Sequence, residues 1–285
     1  MEQSIQFITD NKSKWLKQVS EIYDQFKVST GGHLSVGFGP NLDSKDLMPF
    51  HVVLYASVVH LLLQRGYAVK QHFDSNKDCA DYVYNKLGLK HYWKGSNHEE
   101  VGQNNILNLW RIRETEKDAF SYRVADYFKN TCFRNKDLSA VQNSIVEAFY
   151  NIFDHANAKG NAYIQIMYSK LREEIIIAIV DLGRGLVNTV KEFDKSIIDD
   201  CEAMKLAITP SFTISSTEHN KGWGLDIILS STSSVRIVSG RALLTKCYGD
   251  IRYDSLDYSF PGTLIDFSVK LSDLDDMELL NEFDF

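Results

Sequence analysis

The sequence lacks the features that mark several specialised classes of protein. Its four cysteines stand far apart and form no Cys-x-x-Cys pair, so neither a zinc site nor a disulfide framework is expected. The longest apolar run, Val52–Leu63, contains Ser57 and His60 and is too short to span a membrane. No basic segment followed by an apolar core opens the chain, so no secretory signal is expected. These absences favour a cytoplasmic protein with reduced thiols. The four cysteines are Cys79, Cys132, Cys201 and Cys247.

An excess of basic residues is also missing. The chain has 31 Lys and Arg against 38 Asp and Glu, a formal net charge of -7, and acidic residues gather in the tail 273–285. Because nucleic-acid-binding proteins present a basic surface, nucleic acid is not the expected partner. With 285 residues, of which 44% are hydrophobic, the chain can bury a full core in one or two domains.

Residues 1–95 are predicted to form a small α/β module. Apolar residues at helical spacing predict one amphipathic helix over residues 4–27. A polar stretch with two glycines, residues 94–105, is the best linker candidate, so the module is expected to fold as a unit. After the first helix, strands and helices alternate: a strand His33–Phe38, a helix Pro49–Gln64, a strand Tyr67–Phe73 and a helix Asp78–Leu87.

The helix Pro49–Gln64 carries two histidines, His51 and His60. Each is expected to be a packed or partly exposed side chain. Residues 96–129 then connect the module to the rest of the chain, and they include the start of a predicted helix around Asp118–Asn130.

One helix, predicted over Ser139–His155, organises the second half of the chain. Its apolar residues recur at three- and four-residue steps and mark a buried face. Glu147, Asn151 and His155 are spaced by four residues, so they stack about 6 Å apart along another stripe. A carboxylate, a carboxamide and an imidazole are costly to bury without partners. The stripe is therefore either a solvated helix edge or a site.

Two strands follow, and the second ends in a motif that carries chemistry. Asn161–Tyr168 alternates as a half-buried strand does, and the six apolar residues Ile175–Val180 are typical of a central strand. That strand leads into Asp181-Leu-Gly-Arg-Gly185. Alternate glycines let the backbone approach a flat ligand while the carboxylate accepts a hydrogen bond from an amine. Alone, the motif is also compatible with a simple turn.

Further glycines stand at the start of a predicted helix, residues 225–232. Gly222 and Gly224 precede it, and Lys221 lies beside them. Free amide N–H groups, the positive end of the helix dipole and a cation together suit a triphosphate. Near the end, Pro261–Phe267 brings Thr263 into a last strand.

These motifs, in this order, resemble the four sequence boxes of the GHKL superfamily of ATPases and kinases. The resemblance covers about residues 130–272. It implies a Bergerat fold, in which a mixed sheet lies under helices and the nucleotide is held between the helix Ser139–His155 and a mobile lid. The lid corresponds to Thr209–Lys221, whose run of Ser215, Ser216 and Thr217 favours mobility.

The resemblance also implies a role for each matching residue. Glu147 matches the general base that orients the attacking water, and Asn151 matches the asparagine that coordinates Mg²⁺. Asp181 matches the aspartate that reads the adenine amino group, and Thr263 matches the threonine that supports it. The remaining nucleotide-binding positions are His155, Gly183, Gly185, Lys221, Gly222, Gly224 and Leu225.

The sequence thus predicts an α+β protein in which a small α/β domain precedes a GHKL domain. The small domain resembles STAS-like domains, but more faintly than residues 130–272 resemble the GHKL superfamily. The expected function is magnesium-dependent ATP binding with slow hydrolysis, in which lid closure signals to a protein partner, for which a STAS-like protein is the candidate. Two alternatives remain open: a serine protein kinase of the anti-sigma-factor type, and a module that binds ATP without hydrolysing it. A membrane is not an expected partner.

Overall fold

The computed structural model describes residues 3–28, 31–93, 106–155, 162–209 and 224–277. It contains a parallel three-stranded sheet and an antiparallel five-stranded sheet with helices around both, so the predicted α+β class is confirmed. The linker candidate 94–105 lies outside the described residues. None of the helices in the described ranges is long and apolar enough to cross a bilayer.

The parallel sheet is built by the N-terminal region. Its strands have the order β1-β2-β3, and α1 and α2 are the crossover connections. Because the order runs in one direction and such crossovers are right-handed, both helices lie on the same face of the sheet. The elements are β1 (Gln3–Phe7), α1 (Lys12–Gln25), β2 (Gly32–Phe38), α2 (Pro49–Gln64), β3 (Tyr67–His72), α3 (Lys77–Asp81), a π-helical turn (Tyr82–Lys86) and α4 (Leu89–Trp93).

The helix predicted over residues 4–27 is wrong in its first third. Ile5 and Phe7 belong to β1, where they stand opposite Val36 and Phe38 of β2. The helix begins only after Asn11, whose side chain accepts a hydrogen bond from the Lys14 amide at 3.0 Å. The apolar residues of β1 and α1 together fit helical spacing, so the prediction took a strand and a helix for one helix. The prediction Pro49–Gln64 matches α2 residue for residue.

Helix α2 is buried on all sides. Every residue except His60, Leu63 and Gln64 is buried, because α2 lies between the two sheets and contacts α1, β3, β5 and β6. His51 is 2% exposed: its Nδ1 accepts from the Met48 amide at 3.0 Å, and its Nε2 lies 2.9 Å from the Asp10 carbonyl oxygen. His60 is partly buried and lies 2.8 Å from the Tyr163 hydroxyl. The packed or partly exposed positions expected for both histidines are confirmed.

The antiparallel sheet has the strand order β4-β5-β6-β8-β7. Every neighbouring pair in it is antiparallel, so the mixed sheet that the resemblance implied is wrong for the described strands. Its elements are β4 (Ile106–Ile112), α5 (Lys117–Thr131), α6 (Ser139–Tyr150) with a π-helical turn (Asn151–His155), β5 (Ala162–Ser169), β6 (Glu174–Asp181), α7 (Leu186–Phe193), α8 (Asp200–Ala207), α9 (Gly224–Ser231), β7 (Ser234–Cys247) and β8 (Asp250–Lys270).

Strand β6 is the middle strand, as predicted, and both of its faces are buried. Ile175, Ile177 and Ile179 pack into a hydrophobic cluster with α5, α6, α7 and α9. Ala178 and Val180 pack into a second cluster with α1 and α2. Since the second cluster joins residues of the N-terminal region to the antiparallel sheet, the two regions share a core. Whether residues 1–95 fold alone stays a prediction.

Candidate functional site

A buried carboxylate marks the end of the central strand. Asp181 is 1% exposed, and both of its oxygens accept hydrogen bonds from backbone amides. The Gly183 amide donates to Oδ1 at 2.7 Å, and the Thr263 amide donates to Oδ2 at 3.2 Å. One bond comes from the loop after β6 and the other from the neighbouring strand β8. The carboxylate is therefore fixed where two chain segments meet.

Two glycines let these segments pack closely behind Asp181. Gly262 has a φ of +78°, and a Cβ there would lie 2.1 Å from the Asp181 carbonyl oxygen. Gly185 has a φ of +84°, and a Cβ there would lie 2.5 Å from the Gly262 carbonyl oxygen. A side chain at either position would clash with the backbone of the neighbouring segment. It would also be strained by the positive φ of its own residue. At Gly185, protein atoms fill the space that a side chain would take, so packing alone already requires a glycine.

Two hydroxyl groups satisfy the first amides of α7. The Leu186 amide donates to Thr263 Oγ1 at 2.9 Å, and the Val187 amide donates to Ser239 Oγ at 3.3 Å. The Ser239 hydroxyl donates in turn to the Gly262 carbonyl at 2.8 Å. Because Gly185 precedes the helix and has no side chain to cap it, hydroxyls from β7 and β8 take over this role. Sequence reasoning missed Ser239, since β7 was not predicted.

The electrostatics of Asp181 follow from its burial. Removal from water raises the pKa of Asp181 to about 7, and the amide hydrogen bonds from Gly183 and Thr263 offset only part of this rise. Near neutral pH the carboxyl group thus exists in both protonation states. Burial also means that a ligand reaches the carboxyl group only when a neighbouring segment moves. Perturbed carboxyl groups of this kind are concentrated at functional sites.

The polar stripe of α6 is present, but its geometry changes at Asn151. Glu147 and Asn151 are both partly buried. The side-chain nitrogen of Asn151, Nδ2, donates to the backbone carbonyl of Glu147 at 2.8 Å. From Asn151 to His155 the chain is π-helical, so the four-residue spacing no longer stacks His155 directly above Asn151. Single π-helical turns inside helices are frequent at functional sites. This turn contacts α7, which follows the Asp181–Gly185 segment.

The structure brings some of the predicted residues together. Asp181, Gly183, Gly185 and Thr263 form one cluster, and the turn that begins at Asn151 lies against the adjoining helix. Gly224 begins α9, and Leu225 is buried at 3% exposure, so its side chain packs in the core. Lys221, Gly222 and the predicted lid from residue 210 onward lie outside the described residues, and for His155 only the backbone is described.

A metal site made entirely by protein is not found in the described part of the chain. No three His, Cys, Asp or Glu side chains come together there as ligands.

Comparison with known proteins adds no identity. No known protein family matches this chain, and no curated protein matches it.

Proposed function

We propose that this protein binds Mg-ATP in the manner of the GHKL superfamily and hydrolyses it slowly. One observation carries the proposal: the buried carboxylate of Asp181 ends the central strand and is held by the amides of Gly183 and Thr263. These are the positions at which the resemblance expects the aspartate that reads adenine and the threonine that supports it. The four motifs were predicted from sequence, and two of them meet at this carboxylate.

The chemistry of Asp181 suits an adenine amino group. An ionised carboxylate only accepts hydrogen bonds and has about four lone-pair positions, of which two are occupied here. It can therefore accept a further hydrogen bond from an amino group. While Asp181 is ionised, the carbonyl oxygen that guanine presents at the same position would face an acceptor with another acceptor.

The residues of α6 supply the remaining roles of the proposal. Asn151 offers a side-chain oxygen to Mg²⁺, because its nitrogen already donates to the Glu147 carbonyl. Magnesium, when bound, neutralises the charge of the phosphates. Glu147, one turn earlier, would orient a water molecule and accept its proton. Closure of the predicted lid, Thr209–Lys221, would pass nucleotide occupancy to a partner protein, for which a STAS-like protein is the first candidate.

The antiparallel sheet departs from the mixed sheet of the family pattern. The proposal therefore depends on side-chain chemistry at Asp181, Asn151 and Glu147 and not on the type of sheet. Asp181 ends a strand of the sheet whose covered face packs against α5, α6, α7 and α9, and Glu147 and Asn151 belong to α6 and the turn after it.

Calorimetric titration with ATP and GTP tests the proposal. We expect ATP to bind about tenfold or more tightly than GTP, because an unpaired buried acceptor costs about 1–3 kcal/mol. Asp181→Asn should weaken ATP binding, since its amide nitrogen would oppose one of the two backbone N–H donors. Asp250→Asn, at an exposed carboxylate that begins β8, is the matched control. Equal affinity for the two nucleotides, or no ATP binding at all, contradicts the proposal.

A further inference from the structure

The face of the antiparallel sheet that packs against α1 and α2 changes from apolar to polar along its length. Val180, Leu264 and Val238 lie side by side across β6, β8 and β7, and all three are buried in the cluster with the N-terminal helices. Two residues further along the strands, the corresponding row is Ala178, Asp266 and Arg236; the next row is Ile176, Ser268 and Ser234. Polar side chains therefore begin where the cover of the two helices ends.

These polar residues line a cleft of about 290 Å³, which we call the back-face cleft. Lys12 at the start of α1 and Met48 just before α2 form one side of it, and the end of β7 contributes Thr245 and Cys247. The volume is at the lower end of small-molecule sites in proteins. The nucleotide-site residues Asp181 and Thr263 are odd-numbered on the same strands, so alternation places them on the opposite face.

One buried carboxylate in the cleft is shared by two cations. Only 7% of the Asp266 side chain is exposed, and its Oδ2 lies 2.5 Å from Lys12 Nζ and 3.2 Å from Arg236 Nη1. Both cations also lie over the Phe50 ring, at 4.8 and 5.7 Å from its centroid. A single negative charge thus faces two positive charges at the base of the cleft.

Several hydrogen-bond donors that line the cleft are only partly used by its own residues. The Ser234 and Ser268 hydroxyl groups lie 2.9 Å apart, so their mutual bond uses one of two protons. The Arg236 guanidinium carries five N–H groups, of which one donates to Asp266. At the mouth, Arg172 is largely exposed and lies 3.5 Å from Glu174, too far for a strong pair. The excess positive charge and these donors would suit a bound group that is negatively charged and accepts hydrogen bonds.

We propose that the back-face cleft binds a small organic anion through a carboxylate or phosphate group, with Arg236, Arg172 and Lys12 as its cationic contacts. Arginine is suited to this because its planar fork matches both groups. The bound anion would join α1 to the sheet on the face opposite the nucleotide site. The competing explanation is that Lys12, Asp266 and Arg236 only fasten α1 to the sheet, in which case no anion binds saturably.

The test uses the full-length protein without nucleotide. Thermal unfolding and calorimetric titration are followed with inorganic phosphate and with malonate, and sodium chloride at equal ionic strength is the reference. We expect saturable binding and a rise in Tm with at least one of the two anions and not with chloride. The stronger of the two responses identifies the phosphate or the carboxylate as the preferred group. Responses that only follow ionic strength overturn the proposal.

Variants locate the binding. Arg236→Gln should weaken binding of the effective anion about tenfold or more, since it removes a charge-assisted contact. Because this variant can also disturb packing, Arg172→Gln is the second test: it lies at the mouth and should weaken binding severalfold without changing Tm in the absence of the anion. Arg252→Gln, exposed on β8 and outside the cleft, is the matched control. Parent-like binding in both cleft variants, or equal loss in the control, overturns the proposal.

Discussion

Helices α2 and α6 lie on opposite faces of the same antiparallel sheet, and they solve different problems. Helix α2 is enclosed between two sheets and is apolar around nearly its whole circumference. Helix α6 packs on one sheet and beside α5 and α9, and it keeps a partly buried polar stripe that includes Glu147 and Asn151. A helix buried all round serves the core, whereas an amphipathic helix can also present chemistry.

The polar groups of the two helices show the same difference. On α2, the Ser57 hydroxyl donates to the Val53 carbonyl at 2.8 Å, and the Tyr55 hydroxyl donates to Gln71 at 2.7 Å. Burial lowers the pKa of both His51 and His60 to about 4, so they are neutral at pH 7, although His60 Nε2 has no hydrogen-bond partner among the described residues. The polar side chains of α2 therefore serve the packing of the core. On α6, by contrast, the Glu147 side chain lies partly exposed.

The largest expected effect tests the structural role of α2. Leu54 is fully buried at its centre, so Leu54→Ala should lower the free energy of unfolding by about 2–5 kcal/mol through lost burial and a residual cavity. Leu171→Ala is the matched control, because Leu171 is 93% exposed and its truncation should change stability by less than about 0.5 kcal/mol. Urea unfolding of both variants measures this. Similar losses in the two would mean that α2 is not enclosed.

The second prediction concerns the role proposed for α6. Glu147→Gln should keep ATP affinity near that of the parent while phosphate release falls by about 10²–10⁴, because the base acts as the proton leaves water. Asn151→Ala should lose Mg-ATP binding and activity together, since the metal also stabilises the bound ground state. Glu202→Gln, an exposed glutamate on α8, is the control. If Glu147→Gln releases phosphate like the parent, the base lies elsewhere.

The third prediction concerns pH and Asp181. Burial raises the pKa of this carboxyl group from 3.8 to about 7, so the folded protein holds a proton that the unfolded chain releases. Its contribution to stability is therefore full below about pH 4 and is lost as the pH rises to about 7. The loss is at most about 4 kcal/mol. Denaturant unfolding at several pH values should show this slope in the parent, and a flatter one in Asp181→Asn. Identical slopes would place the responsible group elsewhere.

The smallest expected effect concerns the support behind Asp181. Ser239→Ala removes the acceptor for the Val187 amide and the donor to the Gly262 carbonyl, and leaving buried backbone groups unpaired costs about 1–3 kcal/mol. ATP affinity should fall as well, because Gly262 adjoins the strand residue that holds Asp181. Ser230→Ala, exposed on α9, should change neither quantity. A loss of stability without any change in ATP affinity would separate Ser239 from the site.

Local patterns predicted the elements that local physics determines. Helix α2 and strand β6 were placed correctly because long apolar runs have few alternatives. Strand β1 was missed because Ile5 and Ile8 also fit helical spacing, and only pairing with β2 decides between them. The last strand predicted at Pro261–Phe267 is confirmed as part of β8, whereas β7 and the first part of β8 were missed because that part of β8 is largely exposed.

The candidate site was predicted to the extent that its residues stand in motifs. Asp181, Gly183 and Thr263 were named from sequence, and the structure brings them together. Ser239 and the back-face cleft were not predicted, because their residues come from strands and helices far apart in the chain. The π-helical turn at Asn151 was also missed, since Asn151–His155 continues the helical spacing of α6.

The contact between Lys12 and Asp266 has a consequence for biosynthesis. The two residues are 254 positions apart, so the start of α1 meets its partner only after residue 266 has left the ribosome. Until β8 arrives, the side of α1 that packs on this strand has no cover. Contacts between residues far apart in the sequence form late in folding. Apolar surface that stays exposed until then is what chaperones bind. We expect newly made chains to depend on chaperones until β8 has joined the sheet.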